Sequence, residues 1–226
     1  MTKMLCLVGN KQSGKSSAAK YLVGYAMVKA GRLKYFDVDD NGILSANTLY
    51  TKPDGTEEEA PGILDIYRKD YPFIRYAVSN IWPHIKVYSF AERLKETLHI
   101  VFGVPRENLY GTDEQKNQLS HIKWDNIPSL VKTDKQKGFM TYRELAQTFG
   151  TDICRKMLND CWVQSCYQDI ITDGYPIAII DDGRFDNEIE FAKSVGMYTV
   201  KLCKTNNSGD THSSETSLKN IPDSMF

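Results

Sequence analysis

The strongest constraint on this chain lies in its first sixteen residues. Met4-Leu5-Cys6-Leu7-Val8 is a continuous apolar run, as expected of a parallel strand buried on both faces. It leads directly into Gly9-Asn10-Lys11-Gln12-Ser13-Gly14-Lys15-Ser16, which fits G-x-x-x-x-G-K-[ST] at every position. Behind it Ala18, Ala19, Leu22, Ala26 and Val28 recur near helical spacing, and Gly31 can end the helix. Strand, glycine loop and helix in that order make a phosphate cradle. The glycines let the backbone curl until successive N–H groups converge on an anion. The helix adds the positive end of its dipole. Lys15 is then placed for the β- and γ-phosphates of a nucleotide, and the Ser16 hydroxyl for Mg²⁺.

The rest of the chain alternates strand and helix patterns. Pro176-Ile177-Ala178-Ile179-Ile180 is a second buried strand, and it ends in Asp181-Asp182-Gly183-Arg184. A carboxylate at the end of such a strand is where a phosphate-loop enzyme holds its Mg²⁺ shell, so Asp181 or Asp182 is expected to serve. Arg184 can grip a phosphate through its two-pronged guanidinium. Ile85 to Phe90 and Tyr198 to Leu202 read as further strands, and Ala91 to Phe102, Tyr142 to Cys166 and Asn187 to Val195 as helices, the second broken near Gly150-Thr151. The fold class is therefore α/β, a parallel sheet flanked by helices. A small β-hairpin excursion is expected around Asn41-Gly42. Lys52 to Gly62 reads as a loop, and Ile63 to Trp82 as a helix with a break near Pro72. The polar stretch from about 105 to 140 is an expected lid or insertion within one domain spanning 1–226.

Composition narrows the function. A net charge of −1 gives no global drive toward a nucleic acid backbone. No apolar run approaches the ~20 residues that a membrane helix needs. Cys6, Cys154, Cys161, Cys166 and Cys203 lack the paired spacing of a zinc site, and they read as reduced thiols in a cytoplasmic protein. His84, His99 and His121 read as structural or surface residues. The expected partner is a small molecule, with no direct nucleic acid and no membrane, and a homodimer is compatible with the sequence.

A GTP-dependent switch is the rival from another class. Asp39-Asp40-Asn41-Gly42 fits D-x-x-G, and Thr51-Lys52-Pro53-Asp54 resembles a guanine-reading motif. The two lie too close together for the strand and helix that normally separate them. Another small metabolite kinase, such as one for dephospho-coenzyme A, and a non-catalytic nucleotide-binding module are the remaining alternatives.

Five stretches, in order along the chain, resemble the bacteriophage deoxynucleoside monophosphate kinases. They are the phosphate loop, Ser89-Phe90-Ala91-Glu92-Arg93-Leu94-Lys95-Glu96, Phe149-Gly150-Thr151-Asp152 with Trp162, Asp181 to Glu188, and Asp210-Thr211-His212-Ser213-Ser214-Glu215. The resemblance implies ATP-dependent conversion of a dNMP to a dNDP for phage DNA precursor synthesis, in host cytoplasm if the chain is phage-encoded. It implies ATP on Gly9 to Ser17, with Ser17 closing the loop, and an acceptor beside Phe90, Ala91 and Lys95. Arg155 and Trp162 would face the acceptor's phosphate and base, and Arg184 would bridge the phosphates. Lys15, Arg155 and Arg184 are thus the expected catalytic cations, with Arg143 and Gln147 as further candidates near the glycine–threonine motif. Glu92-Arg93 stands where the family often has Asp-Pro. The family pattern also continues past the His-x-Ser-Glu region, whereas this chain stops at Phe226, so no adenine-reading loop is assigned.

Overall fold

The computed structural model describes residues 2–131 and 136–203. The Asp210 to Glu215 motif lies outside them. Along the chain come β1 (Lys3–Val8), α1 (Lys15–Lys29), β2 (Phe36–Val38), β3 (Leu44–Thr51), β4 (Glu57–Ile63), α2 (Tyr71–Asn80) and β5 (Lys86–Tyr88). Next are α3 (Glu92–Phe102), α4 (Arg106–Tyr110), α5 (Asp113–Lys116), β6 (Leu119–Lys123), β7 (Phe139–Thr141), α6 (Tyr142–Gln147) and α7 (Arg155–Met157). The series ends with α8 (Cys161–Asp173), β8 (Ile177–Gly183), α9 (Asp186–Ser194) and β9 (Tyr198–Lys201). The chain divides into two compact units. One joins the residues up to Ser89 with those from Tyr167 onward, and the other is Phe90–Cys166.

The first unit is built on a sheet of order β5-β8-β1-β9. Every pairing in it is parallel. β1 is central, which explains its unbroken apolar run: Cys6, Leu7 and Val8 are all buried. Helix α1 packs Ala19, Val23 and Met27 into a core shared with Leu7, Phe73, Ala77, Ile81 and Ile179. Burial of such side chains stabilises by roughly 1.5–3 kcal/mol each for the larger aliphatic ones. Asp173 accepts hydrogen bonds from Lys86 Nζ at 2.6 Å and Tyr88 Oη at 2.9 Å, tying α8 to β5.

Two expectations are corrected in this unit. Lys52 to Gly62 is not a loop: β4 pairs antiparallel with β3 over seven residues, from Ser45 opposite Ile63 to Thr51 opposite Glu57. The strand lacks hydrophobic alternation, and as an edge strand it tolerates Pro61. The helix expected over Ile63 to Trp82 shrinks to α2, because Ile63 ends β4 and Asp70 caps the helix by accepting from Phe73 N at 3.2 Å. Pro72 starts this helix rather than breaking it, since the first turn does not use its missing N–H. The expected hairpin at Asn41-Gly42 does form, joining β2 to β3.

The motifs that suggested a GTP switch are turn chemistry. Asp39 Oδ1 accepts from Asn41 N at 3.0 Å and Ile43 N at 2.7 Å. Asp54 Oδ1 accepts from Thr56 N at 2.9 Å and Thr56 Oγ1 at 2.6 Å. Both carboxylates close their own hairpins.

The second unit has its own core of Leu98, Val104, Leu109, Trp124, Met140 and Leu145. Residues from 105 to 140 contribute to it through α4, β6 and β7, so this stretch has packed structure despite its polar composition. The helix through Tyr142 does not break at Gly150. A π-helical turn, Thr148–Cys154, carries it on into α7. The break comes at Leu158, which is extended at φ −150°. Gly150 fits there because a Cβ would stand 2.8 Å from Leu94 Cδ2.

Candidate active site

The phosphate loop begins where β1 and β8 end together. Val8 pairs with Gly183 in the register, and Gly9 N donates to Gly183 O at 3.1 Å. This places the loop and the Asp181-Asp182 pair at the same, C-terminal end of the sheet, where open α/β sheets bind ligands. Gly9 is required by space, since a Cβ would meet Ser13 Oγ at 2.4 Å and the carbonyl oxygen of Leu202 at 2.6 Å. Gln12 has φ 62°, the only positive value at a non-glycine among the described residues, and Gly14 has φ 93°. Left-handed residues interleaved with right-handed ones turn successive N–H groups to one side, which is how a backbone nest for anions forms. A non-glycine held in this region stores strain, a feature that concentrates at functional sites.

Lys15 opens α1 and is 6% exposed. Its ammonium donates to Gly9 O at 2.5 Å and Asn10 O at 2.7 Å, with Ser13 Oγ at 3.5 Å. The charge is thus held over the loop itself. Ser16 is exposed on the first turn of the helix.

The two aspartates diverge. Asp181 is 7% exposed and accepts a hydrogen bond from the hydroxyl of Tyr67. Burial and the neighbouring Asp181 carboxylate push the Tyr67 phenol far up, so it stays protonated. Asp182 instead accepts from Ser89 Oγ at 2.6 Å. Glu188, 2% exposed, accepts from Arg184 N at 2.6 Å and Phe185 N at 3.0 Å, fixing the backbone that carries Arg184. Cys6 lies beneath these carboxylates, and its thiol is pushed well up by burial first and by Glu188, Asp182 and Asp181 next.

The remaining candidates belong to the second unit. Phe90 is buried, and Ala91 precedes α3. Lys95 Nζ sits 4.7 Å from the ring centre of Tyr110. Tyr110 in turn donates to Glu96 at 2.9 Å, and Arg106 grips the same carboxylate with both prongs at 2.8 and 3.0 Å. Arg143 bonds Asn117 Oδ1 at 2.9 Å and Asp113 Oδ1 at 2.6 Å, at the two ends of α5. Gln147 ends α6 and Arg155 opens α7, on either side of the π turn. Trp162 is 9% exposed and donates its indole N–H to Gly150 O at 3.1 Å.

A family model of the deoxynucleotide monophosphate kinases matches residues 80–225. The chain belongs to that family. It is 26% identical over 225 residues to the deoxynucleotide monophosphate kinase of Enterobacteria phage T4, covering 96% of this chain and 88% of that protein. It is 30% identical over 147 residues to a protein of Acanthamoeba polyphaga mimivirus that provisionally carries the same name, covering 59% of this chain and 68% of that one. Membership makes the chain a phosphotransferase, and its parallel sheet flanked by helices is consistent with that fold. No helix among its described residues is long and apolar enough to cross a membrane.

Sequence reasoning missed Tyr67, Ser89 and Glu188 as parts of this constellation. Ser89 and Glu188 stand inside recognisable motifs, which offered a signal. Tyr67 lies in an ordinary polar turn 114 residues from Asp181, and nothing local marks it.

Proposed function

We propose that the chain transfers the γ-phosphoryl group of ATP to a deoxynucleoside monophosphate, giving the dNDP. The reading rests on one observation: the strained nest of Gly9 to Ser16 carries Lys15 at the sheet end where Asp181 and Asp182 stand. In this reading the N–H groups of Asn10 to Ser17 bind the donor's phosphates and Lys15 exchanges loop carbonyls for phosphate oxygens. The Ser16 hydroxyl and the Asp181 carboxylate are hard oxygen donors, the kind of group that would hold Mg²⁺. Bound there, the ion would neutralise charge on the nucleotide's phosphates. Asp181 rather than Asp182 is the choice, because its partner Tyr67 packs under Lys20 of the loop's own helix, whereas Ser89, the partner of Asp182, follows β5.

The acceptor needs no general base. A nucleotide phosphate has a second pKa near ~6, so at neutral pH it is already largely the attacking dianion. The barrier is repulsion between two polyanions, and the chain's task is to supply positive charge and exclude water. Lys15, Arg184 and Arg155 are the cations for that task, and one such arginine is worth about 10³–10⁵ in rate in related transfers. Phe90, Ala91, Lys95, Arg143 and Trp162 are the second unit's candidates for holding the acceptor, Trp162 through the shape of the π turn it supports.

The test is ATP-dependent dNDP formation by pure protein across a panel of dNMPs, rNMPs and pantetheine-type acceptors. The expected result is turnover of at least one dNMP, abolished in Lys15→Ala. Turnover unchanged in that variant would remove the loop from the mechanism. Turnover confined to a pantetheine-type acceptor would reassign the substrate.

A further inference from the structure

Glu92 stands three residues before Lys95 on α3, the spacing at which a helix ordinarily supplies a lysine with an ion pair. Yet the half-buried Lys95 makes no ion pair and no hydrogen bond through its ammonium among the described residues. The ammonium lies over a ring instead, with Nζ 4.7 Å from the centre of Tyr110. A ring face attracts a cation through its quadrupole and uses none of the three N–H donors.

The ring is held from its hydroxyl end. Arg106 and Tyr110 are four residues apart on α4, and Glu92 and Glu96 are four apart on α3, so each pair lines one face of its helix. Arg106 grips Glu96 with both prongs at 2.8 and 3.0 Å. The Tyr110 hydroxyl shares its single proton between Glu96 at 2.9 Å and Glu92 at 3.3 Å. Burial first and Glu92 next push the phenol up, so that proton stays in place. The bonds that fix the ring therefore also occupy the two carboxylates that flank Lys95 in sequence. A ring-backed ammonium with its donors unused suits an anion arriving from solution, and a nucleotide phosphate is such an anion.

We propose that Tyr110 is a positioning residue for the acceptor, its ring face holding the Lys95 ammonium unpaired for the acceptor's phosphate. The inference rests on the reading of Lys95 as an acceptor-binding residue given above. Tyr110 itself stands outside every stretch that carries the family resemblance.

The test is steady-state phosphoryl transfer by the full chain from ATP to each of dAMP, dCMP, dGMP and dTMP. It compares wild type, Lys95→Met, Tyr110→Leu, Tyr110→Phe and the double variant of Lys95→Met with Tyr110→Leu, with unfolding midpoints for each. Tyr110→Leu is expected to raise KM for the dNMP by about two- to thirtyfold, the range of a cation–ring attraction expressed as a ratio. Its kcat and its KM for ATP should stay within about twofold of wild type, the pattern left when only acceptor binding is lost. Tyr110→Phe keeps the ring face and should stay closer to wild type than to Tyr110→Leu. In the double variant KM for the dNMP should lie within about twofold of that in Lys95→Met alone, because the two residues act as one unit. Should Tyr110→Leu unfold, Tyr110→Met takes its place in the same comparison. Additive effects in the double variant overturn the proposal, as does a Tyr110→Phe as impaired as Tyr110→Leu, and both results leave Lys95 with the acceptor. An unchanged KM for the dNMP in Lys95→Met overturns the reading of Lys95, and the proposal with it. Absence of dNMP turnover in wild type overturns the proposed function itself.

Discussion

Ser89 Oγ donates to Asp182 Oδ2 at 2.6 Å across 93 residues of sequence. The bond fastens the end of β5 to the end of β8 and gives neighbouring aspartates different partners. A hydrogen bond to a charged group contributes about 1.5–3 kcal/mol, so Ser89→Ala is expected to lose stability in that range by urea unfolding. Asp182→Asn should resemble it, folding less stably while keeping its Mg²⁺ response. Asp181→Asn should lose phosphoryl transfer. Identical loss of Mg²⁺ response in both asparagine variants would refute the division of labour.

Gln12 pays a conformational cost that glycine would not. A non-glycine residue in the left-handed region costs roughly 1–2 kcal/mol, partly offset in Gln12→Gly by the greater freedom of an unfolded glycine. The expected net change is between about 0 and +1 kcal/mol of stability, where glycine elsewhere in a loop or helix commonly destabilises. Gly9→Ala should do the opposite. Its Cβ meets the backbone oxygen of Leu202, which cannot rotate away, so nucleotide affinity should fall at least tenfold. Thermal melts and equilibrium binding check the pair.

Trp162 holds the π turn through one hydrogen bond to Gly150. Trp162→Phe keeps an aromatic ring and removes one of two hydrogen bonds on that carbonyl, the other coming from Arg155 N, and such a loss costs about 0.5–1.5 kcal/mol. The expected phenotype is a lower unfolding midpoint, with weaker acceptor use following from the loosened turn. A variant of undiminished stability whose KM alone rises would identify the indole as a stacking surface for the base.

Arg68 beside Asp70 holds that carboxyl below its ordinary range, and the Phe73 N–H adds to the effect. A depressed folded value means that its stabilisation is present above the unfolded pKa of about 3.9 and disappears as pH falls through the lower folded value. The cap of α2 should therefore weaken in acid. Asp70→Asn, which can still cap but cannot ionise, should remove that part of the pH dependence. Unfolding midpoints of the two proteins compared from about pH 2 to 6 check this, and parallel curves would refute it.

The cysteines differ in reach rather than in motif. Cys6 and Cys166 are buried, and burial raises the thiols of Cys6, Cys154 and Cys161. Cys203 is exposed. Alkylation of native protein near pH 8, followed by mass spectrometry, should label Cys203 first and Cys6 only after unfolding. Early labelling of Cys6 would contradict the packing of β1.

The parts of the fold that were legible in advance are those where local pattern and burial coincide. β1 and β8 are covered on both faces, so their apolar runs are long and uninterrupted. α3 carries its apolar face on one side and ends at a left-handed Gly103. β4 was hidden for the opposite reason: it is an edge strand whose Glu58, Glu59 and Pro61 are exposed, and its sequence carries no apolar alternation. The π turn was hidden as well, because one extra residue per turn leaves no mark on the helical pattern around Gly150.

The sequence alone determined the phosphate loop, since a glycine nest between a buried strand and a helix depends only on residues adjacent in the chain. It also determined the sheet's class, because parallel strands buried on both faces need continuous apolar runs. Only the tertiary structure decided which hydroxyl each aspartate accepts from, Tyr67 for Asp181 and Ser89 for Asp182. Hydrogen bonds depend on positions in space, and residues 93 and 114 apart acquire theirs only after the sheet has brought the strand ends together.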